Sequence, residues 1–496
     1  MTAHSQLESP VVQAEAGRTD ASGALAIDWR LQGHMPALDG VRGLAILMVL
    51  ALHFIGNTTA TSPVERVMTR ACTFGLFGVD LFFVLSGFLI TGILIDAKRK
   101  PAYFRNFYAR RSLRIFPLYY AVLIVVFLIA PLIPFFRGPD LTLLTSQQGW
   151  AWLYGVNILA ALRGNFTMPY LDHFWSLSVE EHFYLFWPFV VWLCSPRSLM
   201  RVALILAGVS LLARAALSDS LPEIATYVLT PFRLDALCLG GFLASYARSP
   251  NGLIKLAQSI KVVVPSLVAI FVGSYGINKL TGALWSPLHQ IRNGIIVGLL
   301  SLVILAALVA PSGSLHGRFF SARPMRFLGK YSYGLYVFHH FITYYLIRHN
   351  IEFLLAERLG SHLLAVVVQA SVGILATVAL AVTSYHCFEK PFIGLKRYWS
   401  SERQARTAKM PVNSAGGTTG LARLESPGIG GAWRSDDAFA TTPGAPRVGG
   451  RGAAQDSEAA TGFGPRKERA SRTGGTAARD GEVVATRVGA AVGRLH

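Results

Sequence analysis

Residues Phe77 to Ile95 read FGVDLFFVLSGFLITGILI, and Asp96 to Arg114 then read DAKRKPAYFRNFYARRSLR. The first stretch is 19 residues long and carries one charge, Asp80. About 20 apolar residues in an α-helix cover the roughly 30 Å of hydrocarbon in a bilayer, so a membrane-spanning helix is predicted here. The second stretch brings Lys98, Arg99, Lys100, Arg105, Arg110, Arg111 and Arg114. Lys and Arg accumulate in short cytoplasmic loops, so the helix exits into the cytoplasm.

The same reading extends in both directions. Apolar stretches of spanning length fall at 40–57, 75–95, 115–136, 172–194, 201–218, 226–247, 262–280, 290–310, 331–348 and 363–387. The remaining basic clusters follow the even-numbered stretches: Arg197 and Arg201, then Arg248, Lys255 and Lys261, then Arg318, Arg323, Arg326 and Lys330, then Lys390, Lys396 and Arg397. The expected fold is therefore all-α, a polytopic membrane helix bundle of about ten transmembrane helices with both termini cytoplasmic. The apolar run Trp150 to Leu162 is too short to span and is expected to be a re-entrant or interfacial helix.

Composition agrees. Of 496 residues 52% are hydrophobic and 15% charged, against about 25% charged in a soluble chain. A soluble enzyme, a disordered chain and a fibre are excluded. The net charge is +19 and is spread along the chain without a basic, aromatic stripe, so no nucleic-acid partner is expected. Cys72, Cys194, Cys238 and Cys387 form no C-x-x-C pair, so neither a disulfide framework nor a metal site is expected. Three regions follow: a polar cytoplasmic N-terminal segment (1–35), a membrane domain (36–400), and a basic tail (401–496). The tail has 17 Gly in 96 residues, cannot bury enough apolar surface to fold, and is expected to be disordered and cytoplasmic.

Ionisable residues at membrane depth are costly and therefore mark candidate sites. LDGVRGLAILMVLALHF, Leu38 to Phe54, carries Asp39, Arg42 and His53. At about 100° and 1.5 Å per residue, Arg42 and His53 return to one face about 16 Å apart, and Asp39 joins them. Arg111 and Arg114 share a face at a helix entrance, where guanidinium groups suit a phosphate-bearing ligand. DHFWSLSVEEHFYLFWP places Asp172, His173, Ser176, Glu180, Glu181 and His182 on one span. Two adjacent carboxylates there could orient a catalytic histidine, bind a sugar hydroxyl or pair with arginines. Ser86 lacks the surroundings of a nucleophile and reads, with Gly87, as a close-packing site. Arg233, Asp235, Ser332, Tyr333, His339, His386 and Glu389 read as structural on their own.

Taken together and in order, LDGVRGLAILMVLALHF, FGVDLFFVLSGFLIT, FYARRSLRIFPLYY, HFWSLSVEEHFYLFWP, FRLDALCLGG, SYGLYVFH and FEKPF resemble the acyltransferase-3 family of integral membrane O-acyltransferases. The family's Arg followed by ten residues and then a His matches Arg42 and His53, and its Arg-x-x-Arg matches Arg111 and Arg114. His182 stands where the family often has Gln. Some members carry an esterase-like extension, and this chain resembles a stand-alone member.

The resemblance implies transfer of an acyl group, usually acetyl, from acyl-CoA to a hydroxyl of a carbohydrate or lipid-linked glycan, in a bacterial plasma membrane. It implies acetyl-CoA as a donor substrate and no permanently bound cofactor. His53 is the expected general base, Arg42 positions ligand or stabilises charge, and Glu180 or Glu181 steers protons. Arg111 and Arg114 are expected to take donor phosphates, and Asp39 and Asp80 are further substrate-binding candidates. A transporter or flippase for a lipid-linked glycan would also use intramembrane charge, but would release no CoA thiol.

Overall fold

The computed structural model describes residues 35–281, 286–310 and 313–399. The N-terminal segment and the tail, with the expectations about their location, lie outside the described residues. Every regular element among the described residues is helical. The chain opens with α1 (Pro36–Ala51), α2 (Pro63–Thr73), α3 (Phe77–Ala97) and α4 (Tyr103–Ile124). Three short helices follow, α5 (Pro139–Ser146), α6 (Gln148–Trp152) and α7 (Val156–Arg163). Next come α8 (Phe174–Leu193), α9 (Pro196–Leu217), the short α10 (Glu223–Val228), α11 (Leu234–Ala247), α12 (Gly252–Thr281) and α13 (Ser286–Val309). The chain closes with α14 (Leu315–Ser321), α15 (Arg323–Arg348), α16 (Ile351–Leu359), α17 (His362–Ser384) and α18 (Lys390–Gly394).

Each of the ten apolar stretches contains a helix, although 226–247 is divided between α10 and α11. Among the described residues seven helices are long and apolar enough to cross a membrane, which makes this a multi-pass membrane protein. The other three stretches differ for physical reasons. α11 has only 14 residues. α8 has the length but carries Glu180, Glu181 and His182, and α15 carries Arg323, Arg326, Lys330, His339 and His340. Trp150 to Leu162 resolves into α6 and α7, of five and eight residues. Neither reaches across a bilayer, as expected for an interfacial or re-entrant segment.

α1 and α3 lie at the centre. Val41, Ala45, Ile46 and Val49 of α1 are fully buried, as are Leu81 and Val84 of α3. α3 packs along α11, and α1 packs along α15. Both seams are set by small residues. A Cβ at Gly87 would overlap the carbonyl oxygen of Leu237, and one at Gly240 would overlap that of Val84. Close backbone approach of this kind drives helix association in lipid, where hydrophobic burial between helices adds little. Gly87 thus does what its pairing with Ser86 suggested. α12 is the opposite case, with most of its spanning stretch facing outward.

Candidate active site

α3, α4, α8 and α15 enclose a cavity of about 590 Å³. Its lining on α3 runs from Ala97 to Val79, about 27 Å along the helix axis. Asp96, Lys100 and Arg110 are exposed and mark its opening, whereas Val79, Phe83, Ser176 and Tyr336 at the far end are buried. The cavity is therefore a deep, narrow slot that enters the bundle from one face.

The open end is basic. Arg42, Lys100, Arg110, Arg111, Arg114 and Lys396 line the cavity, against Asp96, Glu180 and Glu181. Some of this charge is already paired. Asp96 accepts from Arg248 at 2.9 Å, and Arg42 donates to Asp39 at 2.7 Å. Arg111 donates to the Tyr184 hydroxyl, with its guanidinium carbon 4.0 Å from the centre of that ring. The Tyr184 hydroxyl in turn meets Ser86 Oγ at 2.5 Å. This chain of contacts fixes Arg111 from one side, while its buried Nε has no hydrogen-bond partner among the described residues. Arg111 and Arg114 both line the slot, three residues apart on α4, as their helical spacing requires. Uncompensated guanidinium groups around a slot favour an anionic ligand, and phosphate most of all.

α8 crosses this region with Ser176, Glu180 and Tyr184 four residues apart on one face. Glu180 and Glu181 both line the slot. Glu181 Oε1 is buried with no partner among the described residues.

The closed end abuts a cluster of histidines. Ser176 Oγ meets the Tyr336 hydroxyl at 2.6 Å, and that hydroxyl lies 2.9 Å from the His173 carbonyl. Beyond Tyr336, whose ring centre is 5.4 Å from that of His339, stand His53, His173, His339 and His340. The ring centres of His53 lie 4.8 Å from His339 and 5.7 Å from His340, and those of His173 and His340 are 4.7 Å apart. A ring nitrogen facing a carbonyl must carry the proton, because a carbonyl only accepts. Nδ1 of His53 faces Val49 O at 2.9 Å, so Nε2 of the neutral ring holds a lone pair. Nε2 of His173 faces Val337 O at 3.1 Å, and Nδ1 of His339 faces Tyr336 O at 2.6 Å. The remaining nitrogens of His173 and His339 are buried without partners among the described residues.

His53 is not on a regular helix. α1 ends at Ala51, and residues Leu52–Gly56 form a π turn in which the Asn57 N–H reaches back to the Leu52 carbonyl at 2.9 Å. Single π turns frequently sit at functional sites. No hydrophobic spacing in the sequence signals this turn.

The predicted residues thus separate. Arg42, Arg111, Arg114, Glu180 and Glu181 come together around the slot, and Asp39 reaches it through Arg42. His53 stands beyond the closed end rather than on the lining. Asp80 faces away from the slot. It accepts from Arg233 at 3.1 Å, both side chains being buried, beside the Arg214–Asp235 pair at 2.7 Å. Its surroundings form a separate cavity of about 50 Å³. His182 meets Thr230 Oγ1 at 2.8 Å and ties the segment before α11 to α8, whereas Asp172 accepts the Met168 N–H at 2.8 Å within the loop that leads into α8. Tyr184, Tyr336, His340 and Lys396 are the site residues that sequence reading missed. Tyr184 had a signal, its position four residues after Glu180.

Comparison with known proteins bears on the family of the chain. A sequence model of the acyltransferase domain, Acyl_transf_3, matches residues 35–386. The chain is 28% identical over 334 residues to the peptidoglycan O-acetyltransferase OatA of Listeria monocytogenes, covering 62% of this chain and 49% of the relative. It is 29% identical over 381 residues to the O-acetyltransferase OatA of Staphylococcus aureus, covering 72% and 57%. The putative peptidoglycan O-acetyltransferase YrhL of Bacillus subtilis is 28% identical over 385 residues, covering 72% and 55%. The chain spans about half the length of these relatives. No solved structure matches.

Proposed function

The chain belongs to the acyltransferase-3 family, whose domain it matches over residues 35–386, and on that premise we propose that it is an O-acetyltransferase drawing on cytoplasmic acetyl-CoA. The acceptor is a hydroxyl of a carbohydrate, and the relatives' names point to cell-wall glycan as its class. One observation carries the reading: a slot that is basic at its mouth, deep enough for a pantetheine arm, and closed at Tyr336, beyond which His339 and then His53, with its free Nε2, follow. The donor's phosphates meet Arg111 and Arg114, and the thioester reaches the Ser176–Tyr336 end. The acceptor approaches from the opposite face. Its hydroxyl oxygen attacks the thioester carbonyl carbon as His53 Nε2 takes the proton. The C–S bond then breaks, and the proton passes to the CoA thiolate. Arg42 positions the donor and offsets developing negative charge, with Asp39 holding Arg42 in place. Glu180 and Glu181 steer protons along the slot. The buried Asp80–Arg233 pair joins α3 to the segment before α11, so we assign Asp80 to architecture.

The deciding experiment uses the full chain in proteoliposomes with acetyl-CoA and a glycan acceptor. Acceptor-dependent release of free CoA thiol is expected, and a flippase would move glycan without releasing any. The basic mouth should face the cytoplasm. Reporters fused after Arg114 and after Lys330 should both read inside, and an outside signal after Lys330 would break the orientation.

A further inference from the structure

The end of the described chain carries a cation back into the slot. α17 has 23 residues, about 34 Å of helix, which already crosses a bilayer. The chain stays helical beyond it, through a π turn (Tyr385–Glu389), α18 and a final 3-10 turn (Leu395–Trp399). α18 and the final turn pack on α4. Arg105 of α4 lies 5.7 Å from the Trp399 ring centre, a cation–π contact that holds the strap down. The strap thereby brings Lys396 onto the lining of the slot, among Arg110, Arg111 and Arg114.

Two facts set Lys396 apart from a topological anchor. It is only half-exposed, whereas its neighbour Arg397 points outward and bonds Tyr398 at 3.0 Å. It also makes no ion pair among the described residues. A flexible ammonium held beside like charges with no counter-ion is a site that lacks its anion.

We propose that Lys396 is a phosphate ligand of the acyl donor, completing with Arg111 and Arg114 a three-cation clamp that the strap closes from the C-terminal side. This rests on the acyl-CoA reading above. It adds a donor-binding residue that lies ten positions past the end of the matched domain. An ammonium binds phosphate as a point charge without a fixed fork, so Arg should replace Lys here even though the reverse exchange is expected to fail at Arg111 and Arg114.

The test compares donors with decreasing phosphate content. Thiol release is followed with acetyl-CoA, acetyl-dephospho-CoA and acetyl-pantetheine, using the full chain in proteoliposomes. Lys396→Ala should raise KM for acetyl-CoA by about three- to tenfold, the range for one charge-assisted contact discounted for solvent exposure. Its kcat should stay, its KM for acetyl-pantetheine should not move, and Lys396→Arg should restore the wild-type KM. The response to acetyl-dephospho-CoA identifies the phosphate: a similar rise places Lys396 on the pyrophosphate, and no rise places it on the 3′-phosphate. An unchanged KM for acetyl-CoA, or an equal rise for acetyl-pantetheine, would overturn the assignment while leaving the donor reading intact. If wild-type protein releases no thiol from acetyl-CoA, the donor reading itself fails and takes the clamp with it.

Discussion

At its open end the slot is lined by Arg42, Arg110, Arg111, Arg114 and Lys396; at its closed end it is lined by Ser176 and Tyr336, and four histidines stand beyond them. The open end uses permanent charge, and there water reaches Lys100 and Arg110. The closed end is buried, and it uses groups that are neutral yet still donate and accept. His339 is 0% exposed and His340 4%, a depth at which an uncompensated charge is expensive. Each neutral ring spends its N–H on a backbone carbonyl and keeps one lone pair. The difference assigns tasks: the mouth gathers the cations that can bind an anion, and the far end has neutral bases but little to hold an anion.

The largest effect should come from the far end. His53→Ala should lower kcat by about 10²- to 10⁴-fold, the usual range for loss of a general base, with the donor KM unchanged and the protein still in the membrane. Retention of most of the wild-type rate at equal expression would erase the division of labour. The next effect belongs to the mouth. The double variant Arg111→Lys, Arg114→Lys should keep its topology, because Lys satisfies the positive-inside bias as well as Arg does. Its affinity for acetyl-CoA should fall about tenfold to a hundredfold, since Lys lacks the planar fork and each charge-assisted bond is worth about 1.5–3 kcal/mol. Normal acetyl-CoA affinity would return the pair to a topological role.

Two tyrosines sharpen the contrast at smaller magnitude. Tyr184 supports Arg111 at the mouth, and Tyr336 supports Ser176 at the far end. Removing either hydroxyl should cost about two- to tenfold, the net range for one neutral hydrogen bond. Tyr184→Phe should show it in the donor KM and Tyr336→Phe in kcat. The same kinetic parameter moving in both variants would mean that the two ends act as one unit.

The mouth was legible in the sequence and the far end only in part, for a physical reason. Arg111 and Arg114 are neighbours along one helix, so period alone places them together. Glu180 and Ser176 follow the same rule on α8. The histidine cluster joins residues 53, 173, 339 and 340, which no local period connects, and His53 sits on a π turn that straight-helix geometry cannot foresee. Hydropathy also does not sort the helices by their chemistry, since α3 and α4 line the slot and still pass as spans. α12 passes as a spanning helix and faces outward, whereas α8 and α15 fall short because they carry the carboxylates, tyrosines and histidines of the site. Asp80 was misleading in the other direction, since a buried acid in a span looks the same from sequence whether it faces substrate or an arginine on another segment.

The smallest expected effect marks where the mouth ends. Sequence composition gives residues 401–496 no means of building a core, and none of the family-like segments lies there. Truncation after Trp399 should therefore leave the rate of thiol release and the donor KM within about twofold of wild type, the scatter of changes remote from packed or paired groups. Truncation after Glu389 removes α18, the final turn and Lys396, and with them the strap against α4. That shorter protein should reproduce the raised acetyl-CoA KM of Lys396→Ala and keep a normal kcat, because the histidine end is untouched. Kinetics of the two truncations side by side locate the boundary to within ten residues. If the protein ending at Trp399 already loses affinity, the mouth extends into the tail; if the one ending at Glu389 loses kcat as well, the strap supports the closed end and the two ends are mechanically joined.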